Sequence, residues 1–230
     1  NENGYRGNDR VWPRTNELVA LEHARLMLAE GMAIARAIKP DIIIERLSPF
    51  SIVGKELAWQ CAIPHFVEVN ALLAEEGERW RNLQLVAIAQ MLEYRTLTQA
   101  DGVAVVSETL QKKIVPTYCD AERVIVLPNG VDTALFCPGE KKNGVRKRYD
   151  LNDTFVIGFT GSLKEWHGVE VLISALKDLI CAQYDVSLMI VGDGPQRAVL
   201  ERQTREYGLT DNVIFTGAVP NKCIPDYVRS

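Results

Sequence analysis

Residues 155–168, Phe155-Val-Ile-Gly-Phe-Thr-Gly-Ser-Leu-Lys-Glu-Trp-His-Gly168, constrain the fold more than any other stretch. Phe155 to Phe159 are apolar or glycine without alternation, the pattern of a strand buried on both faces of a parallel sheet. Gly161 and Ser162 make a turn. A helix is expected over 168–182, with Val169, Leu172, Ala175, Leu176 and Leu179 toward the sheet. This order leaves backbone N–H groups and the positive end of a helix at the carboxyl edge of a sheet, where phosphates bind.

The same alternation runs along the whole chain. Before residue 132 it predicts a helix over 16–38, capped by Asn16, with Leu18, Leu21, Arg25, Leu28, Met32 and Ala35 on one side. A buried strand Ile42-Ile43-Ile44 follows, leading to Glu45-Arg46. Next come a helix near 50–61, a strand Phe66–Val69 ending on Asn70, and one long helix over 75–99. Gly102–Val106 is a strand, Ser107 caps the next helix, and Arg123–Leu127 is a further strand closed by Pro128-Asn129-Gly130. Residues 133–153 are polar and breaker-rich, with the basic run Arg146-Lys147-Arg148 read as a solvated face. After the linker, strands at 154–160, 187–191 and 212–216 alternate with helices at 168–182 and 195–207. The reading is α/β: an N-terminal Rossmann-like domain over 1–132, a linker over 133–153, and a second domain over 154–230. Both sheets read as incomplete, as in a piece of a longer protein.

A net charge of -4 disfavours a nucleic-acid partner. Five scattered cysteines without a C-x-x-C read as reduced thiols of a cytoplasmic protein. No apolar run reaches membrane-spanning length, which leaves peripheral membrane contact open. There is no Ser/His/Asp arrangement, metal-ligand cluster or G-x-G-x-x-G; Gly158…Gly161 and Gly192…Gly194 have other spacings.

Four stretches together resemble glycosyltransferase family 4, retaining enzymes of the GT-B fold. They are Val124-Ile-Val-Leu-Pro-Asn-Gly-Val-Asp132, Gly158–Leu163 with Trp166-His-Gly168, Leu188-Met-Ile-Val-Gly-Asp-Gly-Pro195, and Asn212–Val219. The resemblance implies two Rossmann-like domains facing a cleft. The first would bind a glycan, lipid or small-molecule acceptor, and the second a nucleotide-diphosphate sugar, with no cofactor and no metal.

It also implies roles for particular residues. Gly161 and Ser162 correspond to the donor-diphosphate loop, where many members carry Gly-Arg and, six residues on, Lys-Gly. This chain has Ser162 and His167-Gly168 instead, so Lys164 or a protonated His167 would supply the charge; His167 as a mere helix cap is the competing reading. Gly192, Asp193 and Gly194 would lie near donor sugar or nucleotide, or simply form a tight turn. Gly217, Ala218 and Val219 match the segment that passes the nucleobase. Asn70 stands where many members have a cleft histidine, so no acid–base role carries over. Glu45, Arg46, Glu68 and Asn70 are expected at the acceptor edge, or else as salt-bridged edge residues, and Asn129 lines the cleft or a hinge. His65 is read as a surface or core residue. The family's donor-side glutamate pair is not found in the chain, which is therefore expected to be inactive alone. A nucleotide-sugar epimerase of the same frame, or a non-catalytic sugar-nucleotide or partner-binding module, is the alternative.

Overall fold

The structure, a computed structural model, describes residues 14–139, 144–151 and 154–230. It divides into two compact units, one reaching to Gly130 and the other running from Val131 to Ser230.

The first unit opens with α1 (Arg14–Ile38) and continues β1 (Ile43–Arg46), α2 (Val53–Cys61), β2 (His65–Val69), α3 (Leu73–Trp80), α4 (Val86–Thr98), β3 (Gly102–Val105), α5 (Glu108–Ile114) and β4 (Val124–Val126). The four strands are parallel in the order β1-β2-β3-β4. Right-handed crossovers that all step the same way put the connecting helices on one face. On that face Val67, Val69, Val103, Val105 and Val124 pack with Leu97, Leu110 and Ile114. The opposite face carries Ile44, Phe66 and Ile125, all exposed. The Ile42–Ile44 run is thus a half-exposed edge strand rather than a buried one, because β1 is paired on one side and covered on one face.

Two further expectations for this unit fail in whole or in part. Asn16 lies inside α1 rather than capping it; of the expected α1 face, Leu21, Leu28, Met32 and Ala35 are covered, together with Glu17, while Leu18 and Arg25 are exposed. The long helix over 75–99 is two helices, broken where Asn82 takes a left-handed backbone at φ 50°. Buried Glu17 sits at this break, its carboxylate accepting the N–H groups of Gln84 at 2.9 Å and Leu85 at 2.8 Å. Helix starts leave such N–H groups unsatisfied. The caps of α3 and α4, Leu72 and Leu85, have no side chain that can accept them. Carboxylates distant in sequence do so instead, Glu17 for α4 and Glu93 for α3, the latter 3.1 Å from Ala74 N. Ser107, by contrast, caps α5 locally, as expected, accepting Leu110 N–H at 3.2 Å.

The second unit contains α6 (Gly144–Arg148), β5 (Phe155–Thr160), α7 (Val169–Cys181), β6 (Val186–Val191), α8 (Arg197–Glu206), β7 (Val213–Gly217) and α9 (Ile224–Val228). Its strands are parallel in the order β5-β6-β7. Central β6 is the strand buried on both faces. Leu188 and Ile190 pack with Ile173, Leu176 and Leu200, and Met189 and Val191 with Val145 and Leu151. The strand that reads as doubly buried, β5, is an edge strand with Phe155 exposed. Pro195 precedes α8 rather than opening it. Within the segment read as linker, Val145 and Leu151 are buried in this unit's core. Arg146 is no solvated cation: it donates to the carbonyls of Leu151, Thr154 and Ser230 at 3.2, 2.7 and 2.6 Å.

Candidate functional site

At the carboxyl edge of the second sheet, three strand ends are tied together by backbone. Gly161 N–H donates to Val191 O and Gly192 N–H to Gly217 O, each at 3.0 Å. Leu163 N–H donates to Asp193 O and Gln196 N–H to Leu163 O, again at 3.0 Å. The loop after β5 and the loop after β6 therefore interlock. Only glycine permits this: a β-carbon on Gly192, at φ 141°, would sit 1.9 Å from Gly161 O, and one on Gly194 2.7 Å from Leu163 N. Gly161, Gly192, Gly194 and Gly217 thus form the frame of the edge; close backbone contact explains Gly192 and Gly194, and a left-handed φ of 75° explains Gly217. Leu163, fully buried, anchors the loop from below.

On this frame stand the side chains that the sequence singled out. A short 3₁₀ turn, Glu165–His167, leads into α7 through Gly168 at φ 64°. The His167 ring stays exposed, its Nδ1 donating to the carbonyl of Ser162 across the loop. The proton on Nδ1 leaves Nε2 as an acceptor in the neutral ring and a donor in the protonated one. Phe159 and Trp166 lie beside the ring, with centroids 6.1 and 6.0 Å away. Lys164 does not reach back across the turn; its Nζ sits 4.9 Å over the Trp166 ring. Ser162 is exposed at the tip. The first N–H groups of α7 point out of the helix toward this loop and carry its positive end. The arrangement suits an anion of several oxygens.

Asp193, exposed at the edge, is held by two bonds, accepting Gly194 N–H at 2.8 Å and pairing with Arg197 at 3.1 Å. Arg197 was not singled out in the sequence. It also binds Glu201 at 2.8 Å and lies 5.9 Å over the Phe215 ring. Glu201, foremost, holds its guanidinium above the usual range, so the group is a fixed cation. The i, i+4 spacings to Asp193 and Glu201 were the available signal. Ala218 is exposed, and with Val219 it lines a cavity of about 610 Å³ beside Tyr149 and Tyr227.

In the first unit, the predicted edge residues divide. Glu45 faces inward: its carboxylate accepts Gly54 N–H at 2.8 Å, capping α2, and lies 3.1 Å from His65 Nε2. A β-carbon on Gly54 would meet that carboxylate at 2.3 Å. Glu45 therefore serves the helix rather than a ligand, and His65 is a core residue, 2% exposed. Arg46 and Glu68 pair with one another, at 2.9 and 3.3 Å, on the exposed face of β1 and β2. Asn70 is exposed just past β2, and Asn129 is exposed beyond β4. Among the described residues, no helix is long and apolar enough to cross a membrane, and no group of three His, Cys, Asp or Glu is placed to hold a metal. The five cysteines are free thiols.

Comparison with known proteins places this geometry in a family. A relative from Streptomyces kanamyceticus, 2-deoxystreptamine glucosyltransferase, is 36% identical over 228 residues, 94% of this chain and 59% of its own length. A GDP-mannose-dependent phosphatidylinositol monomannoside mannosyltransferase of Mycolicibacterium smegmatis is 30% identical over 61% of this chain and 37% of its own. The chain thus spans well under two thirds of these relatives. Among solved structures, a sucrose-phosphate synthase of Thermosynechococcus elongatus superposes with a TM-score of 0.70 at 20% identity, covering 91% of this chain and 53% of that one. Anabaena HepE in complex with UDP does so with 0.67 at 23%, over 87% and 53%. These likenesses show the fold, α/β of the GT-B kind. Residues 142–230 match the family described as glycosyl transferases group 1, and residues 4–130, more than half of the chain, match the glycosyl transferase 4-like domain. The chain belongs to the glycosyl transferase 4-like family.

Proposed function

We propose that the protein of which this chain is part transfers a sugar, with retention, from a nucleotide-diphosphate sugar to an acceptor hydroxyl. The observation that carries this is the interlocked carboxyl edge of the second unit, where the 161–168 loop presents Ser162, His167 and the start of α7 together. The diphosphate would lie on this edge, with the nucleobase passing Gly217–Val219 and the sugar near Gly192–Gly194. Charge develops on the leaving diphosphate as the glycosidic bond breaks. Preorganised N–H groups and a protonated His167 Nε2 would stabilise it, because they need not reorganise during the reaction. No side-chain nucleophile, metal or cofactor enters this reading. Lys164, held over Trp166, is within the same loop and would supply a second charge. Asn70, Arg46, Glu68 and Asn129 remain acceptor-side candidates. Glu45 does not.

The relatives act on acceptors as different as 2-deoxystreptamine and a phosphatidylinositol mannoside, by their names. The 36% identity makes an aminocyclitol the first acceptor to try. The protein would work in the cytoplasm, in keeping with its free thiols, and the 230-residue chain alone would be inactive.

The test is a screen of nucleotide sugars against the complete protein, by thermal shift and then product analysis. A charge-assisted hydrogen bond contributes about 1.5–3 kcal/mol, so His167→Ala should weaken donor binding about ten- to a hundredfold. Absence of both binding and turnover across the screen would overturn the transferase reading. An inverted product would overturn retention, and unchanged donor affinity in His167→Ala would make His167 only a loop cap.

A further inference from the structure

The groove between α2 and α4, at the amino edge of the first sheet, has no part in the proposed reaction. It encloses about 790 Å³ and is lined by Lys55, Glu56, Trp59, His65, Arg95 and Gln99. Pockets of this size hold small organic ligands. Strand β2 separates it from the acceptor-side edge: His65 opens the strand and Asn70 follows its end, about 16 Å away at roughly 3.3 Å per residue.

Three features of the groove point to one class of ligand. Trp59 is 74% exposed although it is the largest side chain on α2. It forms the ridge between this groove and a second cavity of about 630 Å³ against α1. Beside it, the wall is polar and fixed: Glu56 holds Lys55 at 3.2 Å and Arg95 at 3.4 Å. Asp101 accepts the His65 backbone N–H at 2.8 Å, so two carboxylates balance the two cations. The groove floor includes His65, whose Nε2 is held by Glu45 while the buried Nδ1 has no hydrogen-bond partner among the described residues.

An exposed indole face beside charge-balanced polar groups suits a neutral ligand rich in hydroxyl groups with an apolar C–H face. We infer that the α2–α4 groove is a second carbohydrate site, in which a pyranose ring stacks on Trp59 and hydroxyls bond the Glu56, Arg95 and Gln99 side chains. The adjoining cavity across Trp59 favours an oligosaccharide over a single sugar. A free anion is disfavoured by Glu56 and Asp101. The site would tether a saccharide away from the reacting edge.

Isothermal titration of the full chain with maltotriose, triacetylchitotriose and mannotriose, with UDP at saturation to occupy the nucleotide edge, tests this. At least one trisaccharide should bind saturably. Trp59→Ala and Gln99→Ala should each weaken it at least about tenfold without moving the melting temperature, and Trp59→Phe, which keeps an aromatic face, should retain most of it. Lack of saturable binding for all three sugars, or unchanged affinity in Trp59→Ala, would overturn the site.

Discussion

Glu45 gives the sharpest quantitative test, because its role changes between sequence and structure. Replacing it with alanine removes the acceptor for Gly54 N–H in the first turn of α2. Losing a helix N-cap costs about 0.5–2 kcal/mol. It also leaves His65 Nε2 without its partner in a side chain that is 3% exposed. A buried polar atom left unsatisfied costs about 1–3 kcal/mol. Together these predict that Glu45→Ala destabilises the first unit by about 1.5–5 kcal/mol. With a urea slope of about 2 kcal/mol/M, the midpoint should fall by about 0.8–2.5 M. The two units need not unfold together. The melt is therefore followed by hydrogen exchange in peptides from α2 and β2, and only the first unit's transition should move. Glu45→Gln keeps an oxygen for Gly54 N–H, and His65 can switch tautomer toward the amide, so its cost should stay below about 1 kcal/mol. If Glu45→Ala leaves the midpoint unchanged while acceptor turnover of the complete protein drops, the capping argument is refuted and Glu45 is an acceptor residue.

Gly192→Ala should cost the second unit at least about 2 kcal/mol by urea melt, from strained backbone and displacement of the Gly161 carbonyl. Donor binding should fall with it. Glu17→Ala should release the start of α4 and lower the first unit's stability by about 1–3 kcal/mol, with faster hydrogen exchange at Gln84 and Leu85. Burial, above all, raises the Glu93 carboxyl above its ordinary value, opposed by the N–H groups of Ala74 and Leu73. The folded state therefore holds the proton more tightly than the unfolded one. The resulting stability is full below the ordinary carboxylate range and is lost as pH rises through the raised folded value. Stability measured against pH should fall across that window in the wild type. Glu93→Gln, which still accepts Ala74 N–H, should gain on it as pH rises.

The alternation of strands and helices was legible because burial periodicity is a local property. Val67, Val69, Val103 and Val105 announce a covered sheet face, and Ser107 before Glu108 announces a cap. The glycine turn at Gly161–Ser162 and the glycines at 192, 194 and 217 were equally readable, since close backbone approach at 192 and 194 and a positive φ at 217 exclude or strain a β-carbon. What could not be read was which strand is central. Phe155–Phe159 and Ile42–Ile44 are apolar like inner strands, yet within this chain each is paired on one side only, and pairing is not a local property of the sequence. The break between Trp80 and Val86 was hidden for the same reason, because the carboxylate that caps α4 comes from Glu17, 67 positions before Gln84. So too was the role of Glu45, which sits at a strand end like a ligand contact but turns inward to Gly54 and His65. By itself the sequence determined most element types, the family and the glycine turns that end the strands of the second sheet. Only tertiary structure decided which polar side chains are spent holding helix ends, since capping joins groups that sequence distance keeps apart.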